Sequence, residues 1–345
     1  MKKRRTTIID VAKRAEVSPK TVSRVLNNEQ YVRDSIREAV RNAVRELDYH
    51  PNINAQSLIA QRSYLIGLTY ERPSPSYVVE LQKGALERLE NERYRLIVLP
   101  FEMVSSRIEE LSRFLLSAGL DGVILAPPSC EKAAVLDALE RHEVAYARIT
   151  PHQLQDRGIV ASMDETAAGE AIANHLLELS HRRIGIILGD PNHAATTARM
   201  DGYRKAFAAY GASVDQDLVT QGDFTFPTGL AAGYKLLDRA RPPSAILAQN
   251  DDMAVAAMMA ARELGMDVPR DLSIAGYDDS EVSRLSWPPI TTIHQPVREM
   301  AWDATDRLLR KLDSKSEDVG TGELEGHKLH PYRLIVRGST ASPRS

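Results

Sequence analysis

The opening of the chain carries the pattern that most constrains its fold: two short amphipathic helices joined by a tight turn. Thr7 is a good N-cap for the first helix, and Asp10, three residues later, completes a variant capping box. Ser18 caps the second helix, whose first position is Pro19, where a missing N–H costs nothing. A third amphipathic helix is predicted over residues 34–47. This arrangement is typical of a helix-turn-helix unit.

The second of these helices has a polar outward face. Residues 1–62 hold 13 Lys/Arg and 7 Asp/Glu, a net charge of +6, whereas the whole chain has −3. A basic N-terminal segment followed by an acidic remainder indicates that residues 1–62 bind a polyanion, although a basic face can also simply be solvated. The alternative is a minor helical subdomain, which this polar face disfavours. Four side chains could reach bases or phosphates in a major groove: Lys20, Thr21, Ser23 and Arg24.

A polar linker follows the third helix. Pro51 ends the segment that precedes it, and the apolar residues within 52–61 have the spacing of a helix. An isolated helix of this length is marginal in water, so the linker is expected to fold when DNA binds.

The first sixty residues resemble the lactose-repressor/galactose-repressor (LacI/GalR) family of bacterial transcription regulators. Three ordered motifs carry the resemblance: Thr7-Ile8-x-Asp10-Val11-Ala12, Val17-Ser18-x-x-Thr21-Val22-Ser23-Arg24-Val25-Leu26-Asn27 and Pro51-Asn52-x-x-Ala55-x-Ser57-Leu58. The resemblance implies that the second helix lies in the major groove and that the linker becomes a hinge helix in the minor groove. Leu58 would then wedge between the central base pairs and kink the site.

The resemblance also assigns roles to individual residues. It implies base contacts from Pro19, Lys20 and Arg24 and a minor-groove contact from Gln56, and it implies phosphate contacts from Thr7, Ser18, Thr21, Ser23 and Asn27. Leu58 could instead be an ordinary interdomain packing residue. Two departures from the family pattern matter: Pro19 offers only an apolar ring, and Arg33 stands where a small polar residue is expected at the start of helix 3.

Beyond residue 62, short apolar runs alternate with amphipathic stretches. Predicted strands cover residues 65–70, 95–99, 122–126, 145–149, 184–188, 245–248, 273–276 and 335–336, and predicted helices include 167–179, 253–264 and 297–312. This alternation favours an α/β body with parallel sheets covered on both faces. Eight or more strands suit two subdomains with a ligand in the cleft between them.

The family resemblance implies a periplasmic-binding-protein type I body in which the chain crosses between subdomains three times. The expected domains are a helix-turn-helix unit at 1–50, a hinge at 51–62 and a ligand-binding and dimerisation body at 63–345. Within the body, the N-subdomain is expected at about 63–163 plus 291–325, and the C-subdomain at about 164–290 plus 326–345.

Six side chains are candidates for binding the effector, which the resemblance implies is a sugar or sugar derivative. Tyr77 and Phe224 offer aromatic faces, while hydrogen bonds come from Asp164, Arg199, Asn250 and Asp278. Each residue also has an ordinary structural interpretation. Asp278 could cap a turn, Arg199 could be solvated on a helix, and Asn250 could cap the helix that begins near Asp251.

Several classes of function lack their sequence signals. No Gly-x-Gly-x-x-Gly follows a strand, and no phosphate loop, Gly-x-Ser-x-Gly or His-Glu-x-x-His motif occurs, so neither a cofactor nor an enzyme is expected. Cys130 is the single cysteine, no 18-residue apolar run exists, and the basic start is not followed by an apolar stretch. These features predict a cytoplasmic protein with no membrane association and disfavour a secreted solute receptor. An enzyme on a doubly wound fold is likewise disfavoured.

The expected assembly is a homodimer on a palindromic double-stranded DNA operator, because helix-turn-helix proteins usually read two half-sites. By resemblance, the dimer interface would include residues 77–89 and 107–116. No leucine heptad follows the C-terminal Tyr332-Arg333-Leu334-Ile335-Val336, so a tail-mediated tetramer is not expected. The sequence leaves open which effector binds and whether it releases DNA or promotes binding.

Overall fold

The computed structural model describes residues 6–26, 31–49, 62–71, 74–101, 107–152, 155–313 and 326–344. Two compact units divide the chain, one within residues 1–63 and the other within residues 64–345.

The described residues of the first unit form three helices, α1 (Ile8–Arg14), α2 (Pro19–Leu26) and α3 (Asp34–Glu46). The core of these described residues is small, with seven buried apolar residues: Val11, Ala12, Val22, Val25, Val40, Ala43 and Tyr49. The Thr7 N–H donates to Asp10 Oδ2 at 2.8 Å, and the Asp10 N–H donates to Thr7 Oγ1 at 3.4 Å, so the predicted capping box forms. Arg33 stands at the N-cap of α3 and makes no side-chain capping bond.

A six-stranded parallel sheet forms the first half of the body. In spatial order its strands are β11 (Gly326–Leu329), β5 (Ile159–Ser162), β4 (Ala145–Ile149), β3 (Gly122–Leu125), β1 (Leu65–Tyr70) and β2 (Arg95–Pro100). Helices α4 (Pro75–Leu89) and α12 (Val297–Asp313) pack together, with α12 against β3, β4 and β5. Leucines of α5 (Ile108–Ser117) and α6 (Ala133–Arg141) form a separate cluster with Val123 and Leu125.

The second half has a four-stranded parallel sheet. Its spatial order is β7 (Val219–Gln221), β6 (Ile184–Leu188), β8 (Ala245–Ala248) and β9 (Ser273–Ala275). Helices α7 (Glu165–Glu178) and α8 (Ala194–Ala209) pack closely, as do α9 (Phe226–Leu237) and α10 (Asp251–Glu263). A short helix α11 (Glu281–Leu285) follows β9. The described strands of both large sheets are parallel, as the alternating pattern predicts.

A two-stranded antiparallel ribbon is formed by β10 (Thr292–His294) and β12 (Arg333–Ile335). One expected boundary differs from the structure. Residues 326–329 were expected in the C-subdomain, but β11 pairs in parallel with β5 at the edge of the first sheet. Its sequence, Gly-His-Lys-Leu, is largely exposed and carries no apolar pattern, so pairing with an existing edge decides its position rather than burial.

Four observed strands are absent from the sequence-based prediction. β5 and β7 are short, with four and three residues, and β5 is fully buried, so alternation of polar and apolar residues gives no signal. β10 and β11 are also short, at three and four residues. Among the described residues, no helix is long and apolar enough to cross a membrane.

Candidate ligand cavity and nucleic-acid interface

A partly open cavity lies beyond the carboxyl ends of strands from both sheets of the body. The first sheet contributes residues that follow β1, β3 and β4, and the second half contributes residues from six separate positions along the chain. This is the place where open α/β sheets usually bind ligands. The described residues that line it are Ser74, Tyr77, Pro127, Thr150, Glu165, His193, Ala195, Arg199, Phe224, Asn250, Asp278 and Gln295.

Two glycines bring together the helices that carry the central charges. A Cβ on Gly202 of α8 would lie 2.2 Å from the Thr166 carbonyl oxygen, and one on Gly169 of α7 would lie 2.7 Å from the Arg199 carbonyl oxygen. Any larger residue would force α7 and α8 apart. The close approach lets Glu165, at the start of α7, meet Arg199 on α8.

Arg199 is 4% exposed and is held on three sides. Its Nε–H donates to Glu165 Oε2 at 2.9 Å, Nη2 donates to Glu165 Oε1 at 3.4 Å, and Nη1 donates to the carbonyl oxygen of Gln249. The guanidinium stacks 3.6 Å from the ring centroid of Tyr277, whose hydroxyl donates to Glu165 Oε2 at 2.6 Å. A solvated helix position for Arg199 is therefore excluded.

The pKa values in this cluster show how the charges balance. Burial raises the pKa of Glu165, but the charge of Arg199 and its hydrogen bonds, with that of Tyr277, lower it on balance. Burial works against the charged form of Arg199, yet Glu165, Tyr277 and Asp278 raise its pKa on balance. Both groups are therefore charged, and each compensates the other. Burial lowers the pKa of His193 to about 4, so its ring is neutral near pH 7.

Asp278 faces the same cavity without a cationic hydrogen-bond donor among the described residues. Its Oδ1 accepts from the Gln295 amide, and its backbone N–H donates to the Ile293 carbonyl oxygen at 2.9 Å. Burial raises the pKa of Asp278 well above its ordinary value; Arg199 opposes this and Asp251 adds to it. The residue also has φ 115°, a left-handed conformation that a non-glycine residue rarely adopts. Asp278 is thus fixed at the end of β9 by its neighbours.

Asn250 supports the cavity wall in two ways. Its Oδ1 accepts from the Met253 N–H at 3.0 Å and caps α10, as the sequence suggested. Its Nδ2 donates to the Phe224 carbonyl oxygen at 2.8 Å and so positions that residue, which has φ 69°. The Phe224 ring meets the His193 ring edge-on, with centroids 5.5 Å apart. One wall of the cavity is therefore aromatic.

The structure brings five of the six predicted effector residues together and excludes the sixth. Tyr77, Arg199, Phe224, Asn250 and Asp278 all line the cavity. Asp164 does not: it is exposed, and its Oδ1 accepts from the Ala167 N–H at 2.8 Å to cap α7. The predicted helix begins at residue 167, two residues after its observed start at Glu165. Glu165, and not Asp164, lines the cavity.

Sequence reasoning also missed other cavity residues, chiefly Thr150, His193 and Gln295. Each follows a strand or begins a helix, so the general position was available from the pattern. Nothing in the sequence distinguished them from ordinary loop residues. Glu165 was missed as well, because the packing of α7 against α8 decides which of the two adjacent acids turns inward.

The candidate nucleic-acid interface is the outward face of α2. Ser18, Pro19, Lys20 and Arg24 are exposed, whereas Val22 and Val25 on the other side are buried. The Thr21 N–H donates to Ser18 Oγ at 3.1 Å, and the two hydroxyl oxygens lie 2.9 Å apart. Thr7, Thr21 and Ser23 are half-buried beside this face. The predicted contacts of Asn27, Gln56 and Leu58 fall outside the described residues.

No group of three or more His, Cys, Asp or Glu side chains able to hold a metal ion occurs in the described part of the chain. Cys130 is buried in the short 3-10 turn Ser129–Glu131.

Comparison with known proteins agrees with this architecture. Residues 7–52 match the family described as bacterial regulatory proteins, lacI family, and residues 173–340 match a periplasmic binding protein-like domain. The chain is 32% identical over 343 residues to the HTH-type transcriptional regulator DegA of Bacillus subtilis (strain 168), covering 98% of each chain.

Two solved structures extend the comparison. The lac repressor dimer bound to operator and the anti-inducer ONPF superposes with a TM-score of 0.84 at 26% identity, over 98% of this chain and 100% of that one. A complex of the transcriptional regulator CelR with cellobiose gives a TM-score of 0.71 at 29% identity, over 97% and 100%.

A helix-turn-helix unit followed by a periplasmic-binding-protein-like body defines a class of DNA-binding transcriptional regulators. The chain belongs to the LacI family of bacterial regulatory proteins.

Proposed function

We propose that this regulator is a repressor whose affinity for a palindromic operator is set by a sugar bound in the cavity of the body. The observation that carries the proposal is the convergence of Tyr77, Arg199, Phe224 and Asp278 on one cavity. Arginine and carboxylate groups make paired hydrogen bonds to vicinal hydroxyls, and an aromatic face packs on the C–H side of a sugar ring. The cellobiose bound to CelR supports a saccharide as the ligand class.

On the DNA side, the proposed roles are base contacts from Pro19, Lys20 and Arg24. Phosphate contacts come from the half-buried or exposed hydroxyls of Thr7, Ser18, Thr21 and Ser23. Asn27 would add a phosphate contact, while Gln56 and Leu58 would enter the minor groove, Leu58 as an apolar wedge. The lac repressor complex with operator supports this arrangement.

We also propose that the regulator works as a homodimer. Large apolar side chains are exposed on the two predicted interface segments: Val79 is 46% and Leu86 53% exposed on α4, and Phe114 is 43% exposed on α5. Exposed apolar side chains of this size on the predicted interface segments support a surface that another chain covers. A Leu86→Glu variant that still sediments as a dimer would count against this interface.

The experiment that tests the proposal is selection of bound duplexes from a random DNA pool at near-physiological salt. Recovery of a palindrome with a fixed centre is expected. The amount of this duplex that the protein binds should change when a pool of sugars is added. Leu58→Ala should weaken binding to the selected site by a few kcal/mol at most while leaving salt-driven non-specific binding nearly unchanged. Equal loss of both kinds of binding would contradict the wedge, and recovery of no motif from folded protein would contradict the DNA assignment.

A further inference from the structure

The charges that face the cavity are arranged to cancel the only guanidinium among its described lining residues. Four lining side chains besides Tyr77 can titrate: Glu165, His193, Arg199 and Asp278. Arg199 is bonded to Glu165 through Nε at 2.9 Å and Nη2 at 3.4 Å, and both side chains are almost fully buried, at 5% and 2% exposed. The guanidinium therefore reaches the ligand with its positive charge already compensated.

The remaining groups add no positive charge. His193 is 8% exposed and, with its pKa lowered to about 4 by burial, stays neutral near pH 7. Lys132 acts on His193 electrostatically but does not line the cavity. Asp278 contributes a negative charge when it is ionised and no charge when it is protonated. The net charge offered by the described lining is therefore zero or negative.

The wall behind Asp278 is also acidic. Asp251 is fully buried and bonded to Ser280 and Thr292, and Asp252 lies beside it at the start of α10. Both of these acids, like Arg199, act electrostatically on Asp278. A phosphate or carboxylate placed against Asp278 would meet like charge in a medium of low dielectric.

Arg199 nevertheless keeps donors for a neutral ligand. A guanidinium has five N–H groups, and three of the described hydrogen bonds use Nε, Nη1 and Nη2 once each. Donors on a compensated guanidinium, opposite a carboxylate acceptor, suit hydroxyl groups, which both donate and accept.

Resting on the proposed sugar-binding function, we propose that the cavity selects an uncharged, hydroxyl-rich ligand and rejects its phosphorylated or carboxylated counterparts. Glu165 is the selecting residue, because it occupies the Nε–Nη2 edge of Arg199, where an anion would otherwise bind through two hydrogen bonds, while Nη1 is held by the Gln249 carbonyl oxygen. Its removal should convert Arg199 into an anion-binding group.

The first test uses inorganic phosphate and the full chain, so it does not depend on knowing the sugar. Isothermal titration at low ionic strength should show Glu165→Gln binding phosphate at least about tenfold more tightly than the unsubstituted protein. Adding Arg199→Gln to that variant should abolish the gain. Glu178→Gln, an exposed position on the same helix, is the matched control and should bind phosphate like the unsubstituted protein.

Equal phosphate affinity in the unsubstituted protein and Glu165→Gln overturns the inference. Circular dichroism checks that Glu165→Gln is folded. If it is not, Asp278→Asn serves in its place, since removal of this carboxylate should also raise phosphate affinity, by a smaller factor.

The second test compares matched ligands by thermal shift: ribose against ribose 5-phosphate, and glucose against glucose 6-phosphate and glucuronate. Stabilisation by a neutral member alone supports both the inference and the sugar assignment. Stabilisation by a sugar phosphate or by glucuronate, if it is lost in Arg199→Gln, overturns the inference. The proposal that a small molecule bound in the cavity controls the regulator would still stand. If no sugar binds but phosphate binds only Glu165→Gln, the charge selection stands and the sugar assignment fails.

Discussion

The DNA-binding unit and the body hold their polar side chains in opposite ways. In the first, Lys20 and Arg24 stand exposed on one face of α2, above a core of seven buried apolar residues. In the body, Glu165 and Arg199 are buried and are kept charged by each other. Exposed charges are solvated by water and can be changed without cost to the fold, whereas buried charges depend on their partners. Function and stability should therefore be separable in the first unit and coupled in the body.

The largest effect should come from breaking the buried pair. Arg199→Leu leaves Glu165 without its cation, so we expect the free energy of unfolding to fall by about 3–5 kcal/mol and effector response to be lost. Urea unfolding of the body measures the first effect. Arg204→Ala is the control, because its pair with Asp201 is more than half exposed and should contribute little. A similar loss in both variants would remove the contrast between buried and exposed charge.

The next effect concerns the small core of the DNA-binding unit. Val40 is fully buried, and Val40→Ala should destabilise this unit by about 2 kcal/mol. That is a large share of the stability of so small a unit. Specific DNA binding should weaken while sugar binding by the body is unchanged, which fluorescence anisotropy and calorimetry measure separately. Val336→Ala, at a position 58% exposed, should change neither. Loss of sugar binding in Val40→Ala would show that the two regions unfold together.

On the DNA face itself, affinity should change without a change in stability. Arg24→Ala should weaken binding to the selected operator by about 1–3 kcal/mol and relax its sequence preference at one position of the half-site. Thermal unfolding should stay within about 0.5 kcal/mol of the unsubstituted protein. Lys13→Ala, also an exposed cation but on α1, is the comparison for general electrostatic attraction. An unfolding change as large as the affinity change would place Arg24 in the fold rather than at the interface.

Per unit of pH, the effect on two adjacent carboxylates should be smaller, but it should have opposite signs at the two positions. Burial raises the pKa of Asp278, so its native state favours the protonated form and wild-type stability falls as pH rises above the ordinary value of 3.8. Asn cannot titrate. The stability of Asp278→Asn relative to wild type should therefore increase with pH, by at most about 1.4 kcal/mol per unit.

Asp279 provides the opposite case. Burial raises its pKa, but His294 and Arg337 lower it on balance. Its contribution to stability is present above the ordinary pKa and is lost as pH falls, so Asp279→Asn should be destabilised near pH 7 and the difference should shrink in acid. Chemical unfolding between pH 3 and 8 measures both variants. Slopes of the same sign would show that the two carboxylates share one environment.

Much of this arrangement follows from local rules in the sequence. The caps at Thr7, Ser18 and Asn250 were predictable, because a side-chain oxygen directly before a helical pattern satisfies free N–H groups. Strands such as Leu65–Tyr70 and Ile184–Leu188 match their predicted bounds, since each is a bounded apolar run in a body of alternating strands and helices.

What could not be predicted depends on contacts distant in sequence. Asp164 and Glu165 are adjacent acids, and only the docking of α7 on α8 decides that the second faces Arg199 while the first caps the helix. The tight approach at Gly169 and Gly202 gives no signal in one sequence, because each is an isolated glycine in a helical pattern. The strand at residues 326–329 likewise has no apolar pattern that would predict it, since a strand at the edge of the sheet needs no apolar face.

That last strand has a consequence for synthesis of the protein. β11 closes the edge of the first sheet against β5, and Ser162 meets His327 across 165 residues of chain. At the edge of the second sheet, the Ile274 N–H donates to the Ser339 carbonyl oxygen at 2.9 Å. Neither sheet can gain these partners until residues 326–339 have been synthesised. A chain that lacks residues 326–339 would leave these two edges without their partners, so it should be more prone to aggregation than a chain that contains them.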